Sequence, residues 1–87
     1  MHVAKVIGNV VATRKDESLV GFSLLVIEIQ KPGTDQAQSQ LVAVDTVGAG
    51  AGDLVLVSLG GAARVNLPHN APVDATIVGV IDTVVVV

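Results

Sequence analysis

The sequence lacks cysteine, tryptophan and tyrosine altogether, and Phe22 is its one aromatic residue. Without cysteine the chain has no disulfide framework, no thiolate metal site and no dithiol redox couple. With a single aromatic ring it has almost nothing on which nucleic-acid bases could stack. These absences argue against disulfide-stabilised, thiol-redox and single-strand-binding proteins.

Charge is also scarce, because Asp, Glu, Lys and Arg together make up 15% of the chain, with a net charge of -3. A protein that neutralises phosphates or docks on anionic lipid carries the opposite sign. No apolar run approaches the roughly 18 to 20 residues that cross a bilayer, and the N-terminal residues lack the blocks of a signal peptide. We therefore expect a cytoplasmic protein that binds neither nucleic acid nor membrane.

β-Branched residues are abundant: nineteen Val, five Ile and five Thr make one third of the 87 residues. Their alternation with small or polar residues, broken at Pro, Gly and charged clusters, is typical of strands. The pattern predicts strands over residues 3–13, 24–30, 41–47, 53–59 and 75–87, with an exposed loop over residues 34–40. One short helical turn is expected within residues 62–66. Together these elements predict a single all-β domain, residues 1–87, folded as a small, partly open antiparallel barrel.

The fourth and fifth predicted strands carry apolar residues on both faces. In the fifth, Ile77 and Ile81 lie on one face and Val78, Val80 and Val84 on the other. In a monomeric antiparallel barrel the outer face of each strand is expected to be polar. Covering about 300 Å² of apolar surface per chain contributes about 7 kcal/mol before the entropy cost of association. We therefore expect other copies of the same chain to cover these outer faces.

A glycine-rich run, VGAGAGD over residues 47–53, has the composition of a phosphate-binding loop. A phosphate loop needs Lys and then Ser or Thr after its last glycine, and a dinucleotide fingerprint opens a helix, whereas Asp53 and a predicted strand follow here. Asp45 and Asp53 would also repel an anion. The run is interpreted as a tight turn that uses the positive φ open to glycine.

Candidate residues for metal binding or catalysis are few. His2 and His69 are the two histidines, and neither has a partner at metal-ligand spacing. The Ser, His and acidic residues form no recognisable triad pattern. We expect no metal, no cofactor and no enzymatic activity.

Three charged residues, Asp45, Arg64 and Asp74, interrupt or border apolar stretches. An unpaired charge in such a place is costly, and Arg can bind a carboxylate through two parallel hydrogen bonds. One interpretation is an ion pair from Arg64 to one of the aspartates, within or between subunits, that sets the register of an assembly. The other is that each residue caps a turn.

Three blocks of sequence occur in a distinctive order. They are AKVIGNVVATRK with LVGFSLLVI near the start, VAVDTVGAGAGDLVLVSLGGAAR in the centre and PVDATIVGVIDTV near the end. In this combination they resemble the EutN/CcmL family, the vertex proteins of bacterial microcompartment shells. Asp45, Arg64, Asp74 and Asp82 match the family motifs, whereas Gly61 stands where the family usually has Ser.

The resemblance implies an OB-like five-stranded barrel that forms a homopentamer at the five-fold corners of a polyhedral shell, next to hexameric shell proteins. It implies a structural protein without catalytic residues or cofactors. The residues expected at subunit interfaces or in structural motifs are Asp45, Thr46, Gly48, Gly50, Gly60, Gly61, Arg64 and Asp74.

The type of compartment is indicated by the end of the sequence. Carboxysome members commonly extend beyond the final motif, whereas four valines follow Thr83 here. This favours a catabolic compartment for ethanolamine, propanediol or a glycyl-radical substrate, with a carboxysome as the alternative. Two other classes stay open: a nucleic-acid-binding barrel, whose affinity would fall steeply with salt, and a module that binds a small ligand or anion at residues 48–52.

Overall fold

Five β-strands and two short 3₁₀ turns form the regular structure of the described part of the chain. The computed structural model describes residues 1–65, 67 and 71–87. The strands are β1 (His2–Val10), β2 (Ser23–Gln30), β3 (Ala37–Asp45), β4 (Leu54–Leu59) and β5 (Ala75–Val80). The turns are Glu17–Leu19, between β1 and β2, and Gly60–Arg64, between β4 and β5. Within these residues, no helix has the length and apolar content that a membrane span requires.

The strands close into a barrel in the order β1, β2, β3, β5, β4. Four neighbouring pairs are antiparallel, and β3 and β5 are parallel, with Val44 opposite Thr76 and Asp45 opposite Ile77. The predicted five-stranded all-β barrel is confirmed, but it is closed rather than partly open and has one parallel pair. The parallel pair arises because an odd number of strands cannot alternate in direction all the way round a closed barrel.

Some element boundaries differ from the sequence prediction. β3 begins at Ala37, so the stretch expected to be an exposed loop, residues 34–40, is partly a strand. Its side chains are exposed, as its polar composition indicates, but its backbone pairs with β2 as far as Gln30. β1 ends at Val10 and β5 at Val80, each several residues before the predicted end. The boundaries of these strands therefore depend on hydrogen bonding to neighbouring strands, which the local sequence pattern does not show.

The barrel interior is filled by small and branched apolar side chains. Alternate residues of each strand point inward, as the period of two requires. Ile27 and Ile77 are fully buried at its centre. The remaining members of this core are Ala4, Val6, Leu25, Ile29, Ala43, Val55, Val57 and Ala75.

A second apolar cluster lies on the outside of the barrel. It contains Val44, Ala63, Leu67, Ala71 and Val73, with Leu19, Phe22 and Leu24 packed against it. The turn Gly60–Arg64 contacts both β4 and β5, and the outward residues Ser58 and Thr76 are buried. Part of the outer surface that was expected to need another copy is therefore covered by the chain's own connecting segment.

The first 3₁₀ turn lies in the charged connection between β1 and β2. Its N-cap is Asp16, whose carboxylate accepts hydrogen bonds from the Ser18 amide at 3.0 Å and the Ser18 hydroxyl at 2.6 Å. The hydroxyl bond, and after it the amide bond, lower the pKa of the Asp16 carboxyl below its usual range. This local cap orders a connection that is otherwise largely exposed.

After β5 the chain crosses the outside of the barrel. The Ile81 amide donates to the Leu54 carbonyl oxygen at 2.8 Å, and Val84 lines a groove with Val3 and Gln30. Further on, Val86 lies against the loop between β2 and β3. A Cβ built on Gly33 would be 2.5 Å from the Val86 Cγ2.

Replacing Gly33 by alanine is expected to displace this C-terminal segment. Both Gly33 and Gly21 have positive φ, +77° and +90°, so either substitution carries the backbone strain of an L-residue there. A Cβ at Gly21 meets nothing within 4 Å, so Gly21→Ala measures the strain alone. We expect Gly33→Ala to cost about 1 kcal/mol more than Gly21→Ala in urea denaturation, because the added methyl group meets Val86. Equal losses for the two variants would contradict the packing of Val86 on the loop.

Candidate functional site

The glycine-rich run after β3 is a turn built around the Asp45 carboxylate. Asp45 Oδ1 accepts from the amides of Val47 at 3.0 Å and Gly48 at 3.2 Å, and Oδ2 accepts from the Ala49 amide at 2.8 Å. Gly48 has a φ of +84°, which lets successive amides converge on one side chain. The tight turn expected from the glycine pattern is present, and Asp45 organises it.

The second half of the turn is organised by Asp53 and fastened to β1. The Gly50 amide donates to Asp53 Oδ2 at 2.8 Å. The Gly52 amide donates to the Val6 carbonyl oxygen at 2.9 Å, and the Val6 amide donates to the Asp53 carbonyl oxygen at 2.9 Å. The amides of residues 47–50, which a phosphate loop would offer to an anion, thus already donate to carboxylates.

A second group of site residues surrounds the turn Gly60–Arg64. The Gly60 amide donates to the Asp74 carbonyl oxygen at 2.7 Å, and Arg64 Nη1 donates to the Val73 carbonyl oxygen at 3.0 Å. Gly61 lies beside Arg64, whose Nη2 would be 3.6 Å from a Cβ at that glycine. The structure therefore brings Gly60, Gly61, Arg64 and Asp74 together.

The two groups are connected through neighbouring residues of β5. Thr46 Oγ1 donates to the Ile77 carbonyl oxygen at 2.8 Å, and Thr76 Oγ1 donates to the Ala63 carbonyl oxygen at 2.6 Å. Sequence reasoning singled out Thr46 but missed Thr76. The available signal was a hydroxyl within the apolar run ATIVGV, where a buried polar group requires a partner.

Replacing Thr76 by valine is expected to loosen the Gly60–Arg64 turn. Thr76 is 3% exposed, and valine matches its shape but cannot donate to the Ala63 carbonyl oxygen. We expect a loss of about 1 to 2 kcal/mol in the free energy of unfolding, measured by urea denaturation. Thr76→Ser keeps the hydroxyl and should retain more stability than Thr76→Val. The reverse order would contradict this role for the hydrogen bond.

Within one protomer, Arg64 and Asp45 contact backbone groups. Arg64 donates to the Val73 carbonyl oxygen, and the carboxylate of Asp45 accepts from its own turn. For Asp45 this is the turn-capping interpretation. An ion pair from Arg64 to an aspartate of a second subunit stays a prediction.

Metal-ligating side chains do not gather in the described part of the chain. Among residues 1–65, 67 and 71–87, no cluster of three or more His, Cys, Asp or Glu side chains could hold a metal ion. His2 is exposed at the start of β1. His69, the other histidine considered as a metal ligand, lies outside the described residues.

Comparison with known proteins finds relatives along nearly the whole chain. GrpN of Rhodospirillum rubrum, a bacterial microcompartment shell vertex protein, is 46% identical over 85 residues, which cover 97% of this chain and 96% of GrpN. PduN of Salmonella typhimurium, also a microcompartment shell vertex protein, is 43% identical over 89 residues, covering 95% and 97% of the two chains. The carboxysome shell vertex protein CcmL of Synechococcus elongatus is 44% identical over 85 residues, covering 97% and 86%.

The solved structure of GrpN, described as a pentameric microcompartment shell protein, has the same fold. It superposes with a TM-score of 0.88 and covers 100% of this chain and 99% of its own. The family profile described as "Ethanolamine utilisation protein EutN/carboxysome" matches residues 1–82. With that match and relatives of this identity over nearly the full length, the chain belongs to the EutN/CcmL family of shell vertex proteins.

Proposed function

We propose that this chain forms a homopentamer that closes the vertices of a bacterial microcompartment shell. The observation that carries the proposal is the similarity to GrpN, a pentameric shell protein, over the whole length of both chains. The buried barrel core supports it, because a rigid protomer is what a fixed assembly angle requires.

The geometric task of such a pentamer is to close a shell. A layer tiled by hexagons alone is flat or curls into a tube, and pentagons are needed to close it. A heterologous contact that returns to its start after five copies supplies a pentagon. The proposed partners are therefore further copies of this chain and hexameric shell proteins.

The proposed role is structural and includes neither catalysis nor a cofactor. Its support is that Asp45 and Asp53, the carboxylates of the glycine-rich turn, accept hydrogen bonds from the turn's own amides. Arg64 likewise donates to a main-chain carbonyl. The alternative of an anion-binding module at residues 48–52 is disfavoured by the same bonds.

The relatives do not distinguish the class of compartment, because they include both microcompartment and carboxysome vertex proteins. We keep a catabolic compartment as the prediction. A carboxysome stays the alternative, since the carboxysome protein CcmL of Synechococcus elongatus is 44% identical to this chain.

Native mass spectrometry of the purified chain tests the assembly. We expect a dominant species of five times the protomer mass of 8.8 kDa. A stable monomer would refute self-association, and a hexamer would refute the five-fold geometry.

Co-expression with hexameric shell proteins tests the placement at vertices. Electron microscopy is expected to show closed polyhedra when the chain is present and open sheets or tubes when it is omitted. Closed polyhedra in both cases would contradict the proposed role.

A further inference from the structure

β3 has a long unpaired edge. On one side it pairs with β2 from Ala37 to Asp45, with a β-bulge at Gln38. On the other side it pairs with β5 at Val44 and Asp45. From residue 37 to residue 43, in the described structure, the outward amides and carbonyls of this edge have no strand beside them.

The edge lacks charged side chains and proline, two of the features that usually prevent strand addition, although a β-bulge at Gln38 interrupts its pairing with β2. Natural proteins protect exposed edges with charged side chains or proline. The segment AQSQLV, residues 37–42, contains neither, and Gln38, Ser39 and Gln40 are exposed on it. Next to it, Leu24, Val42 and Val73 line an apolar groove. The surface thus offers backbone hydrogen bonds and apolar contacts together, which is what an extended segment needs for docking.

The C-terminal segment, residues 84–87, has the properties expected of a strand that pairs with such an edge. Residues 84–87 are four consecutive valines, uncharged and strongly β-favouring. Val85 is 80% exposed, Val86 is 65% exposed and Val87 is fully exposed. Within the described residues, the last main-chain hydrogen bond before this segment is the one from the Ile81 amide to the Leu54 carbonyl oxygen.

The segment of the same copy lies elsewhere on the barrel. Val84 lines a groove with Val3, Gln30 and Leu54, over β1, β4 and the end of β2, and Val86 contacts Gly33. Val84 thus lies beside β1 and the end of β2, and Val86 lies at the loop before β3, whereas the free edge of β3 is on its side away from β2.

We propose that the free edge of β3 accepts residues 84–87 of a second copy as an added strand. This inference rests on the proposed self-association, because it needs a neighbouring copy beside the edge. The added strand gives hydrogen-bond partners both to the free edge of β3 and to the backbone of residues 84–87. It also covers the exposed valines with the groove at Val42. Since each copy carries one edge and one segment, the contact is heterologous and repeats around the ring.

Paired cysteines test the contact directly, because the chain has no cysteine of its own. Four double variants combine Ser39→Cys or Gln40→Cys with Val85→Cys or Val86→Cys, all at exposed positions. After mild oxidation we expect at least one combination to give a ladder of covalent dimer to pentamer on a non-reducing gel. A disulfide needs Cα atoms roughly 4.4 to 6.8 Å apart, which adjacent strands provide.

A matched control uses Val11→Cys with the same edge cysteines, because Val11 is 83% exposed and equally accessible. We expect roughly tenfold less ladder from the control, which measures collision between surface thiols. A ladder no stronger than the control in all four combinations, with an intact pentamer by native mass spectrometry, would overturn the strand addition and leave the proposed function standing. A disulfide formed within one chain would also overturn it. A monomer by native mass spectrometry would refute the proposed function and this inference with it.

Discussion

Replacing Ile27 by alanine is expected to lower the free energy of unfolding by about 2 to 5 kcal/mol. Ile27 is fully buried at the centre of the barrel, in register with Val6 on one side and Leu41 on the other. The loss combines the transfer energy of the removed methyl and methylene groups with the cavity they leave. A small domain has a total stability of roughly 5 to 15 kcal/mol, so this one change removes a large part of it.

Urea denaturation followed by circular dichroism measures this loss, at one fixed protomer concentration because association adds to the apparent stability. Ile7→Ala is the matched control, since the same atoms are removed from a side chain that is 43% exposed at a β-bulge. We expect the control to lose less than half as much. Similar losses for Ile27 and Ile7 would mean that the barrel interior is not the main source of stability.

Replacing Arg64 by glutamate is expected to shift the mass distribution from pentamer toward monomer. Arg64 is exposed, and its Nη1 donates to the Val73 carbonyl oxygen at 3.0 Å. A carboxylate cannot donate that bond, and it would meet the carbonyl oxygen and the nearby Asp74 with like polarity. The substitution therefore alters both the position of residues 73–74 and the charge of the surface proposed to meet a second copy.

Native mass spectrometry over a dilution series measures the effect, and we expect the dissociation constant to rise about tenfold or more, which corresponds to about 1.4 kcal/mol. Arg14→Glu makes the same charge change in the exposed connection between β1 and β2 and should leave the pentamer intact. Circular dichroism checks that both variants keep the barrel. An unchanged mass distribution for Arg64→Glu would remove this residue from the proposed interface.

The two substitutions probe separate levels of organisation. Ile27 contributes to the fold of one protomer, whereas Arg64 is proposed to contribute to contacts between protomers. If Ile27→Ala unfolds the protomer, the pentamer should disappear with it. If Arg64→Glu yields a folded monomer, the fold and the assembly can be separated, which is informative for a protein proposed to act by its shape.

The candidate site illustrates how a short motif can be identified before its purpose is clear. The run VGAGAGD was interpreted as a tight turn because glycine can adopt positive φ, and turn capping was one of two interpretations of Asp45. The three amides that converge on Asp45 show that it caps this turn. For Arg64 an ion pair with a carboxylate and the capping of a turn were both considered, and within one protomer it donates to the main chain at Val73.

The sequence by itself determined the all-β class, the approximate strand positions and the inward faces, because the period-two pattern of Val and Ile is local and is read within each segment. It also determined the glycine-rich turn. Tertiary structure decided which strands are neighbours, that β3 and β5 run parallel, and that Ser58 and Thr76 are buried beneath the chain's own connecting turn. These features depend on residues far apart in the sequence, such as Thr46 and Ile77, which lie 31 positions apart. The local sequence pattern indicates that the outer face of a strand must be covered, whereas the tertiary structure determines which segment of the chain covers it.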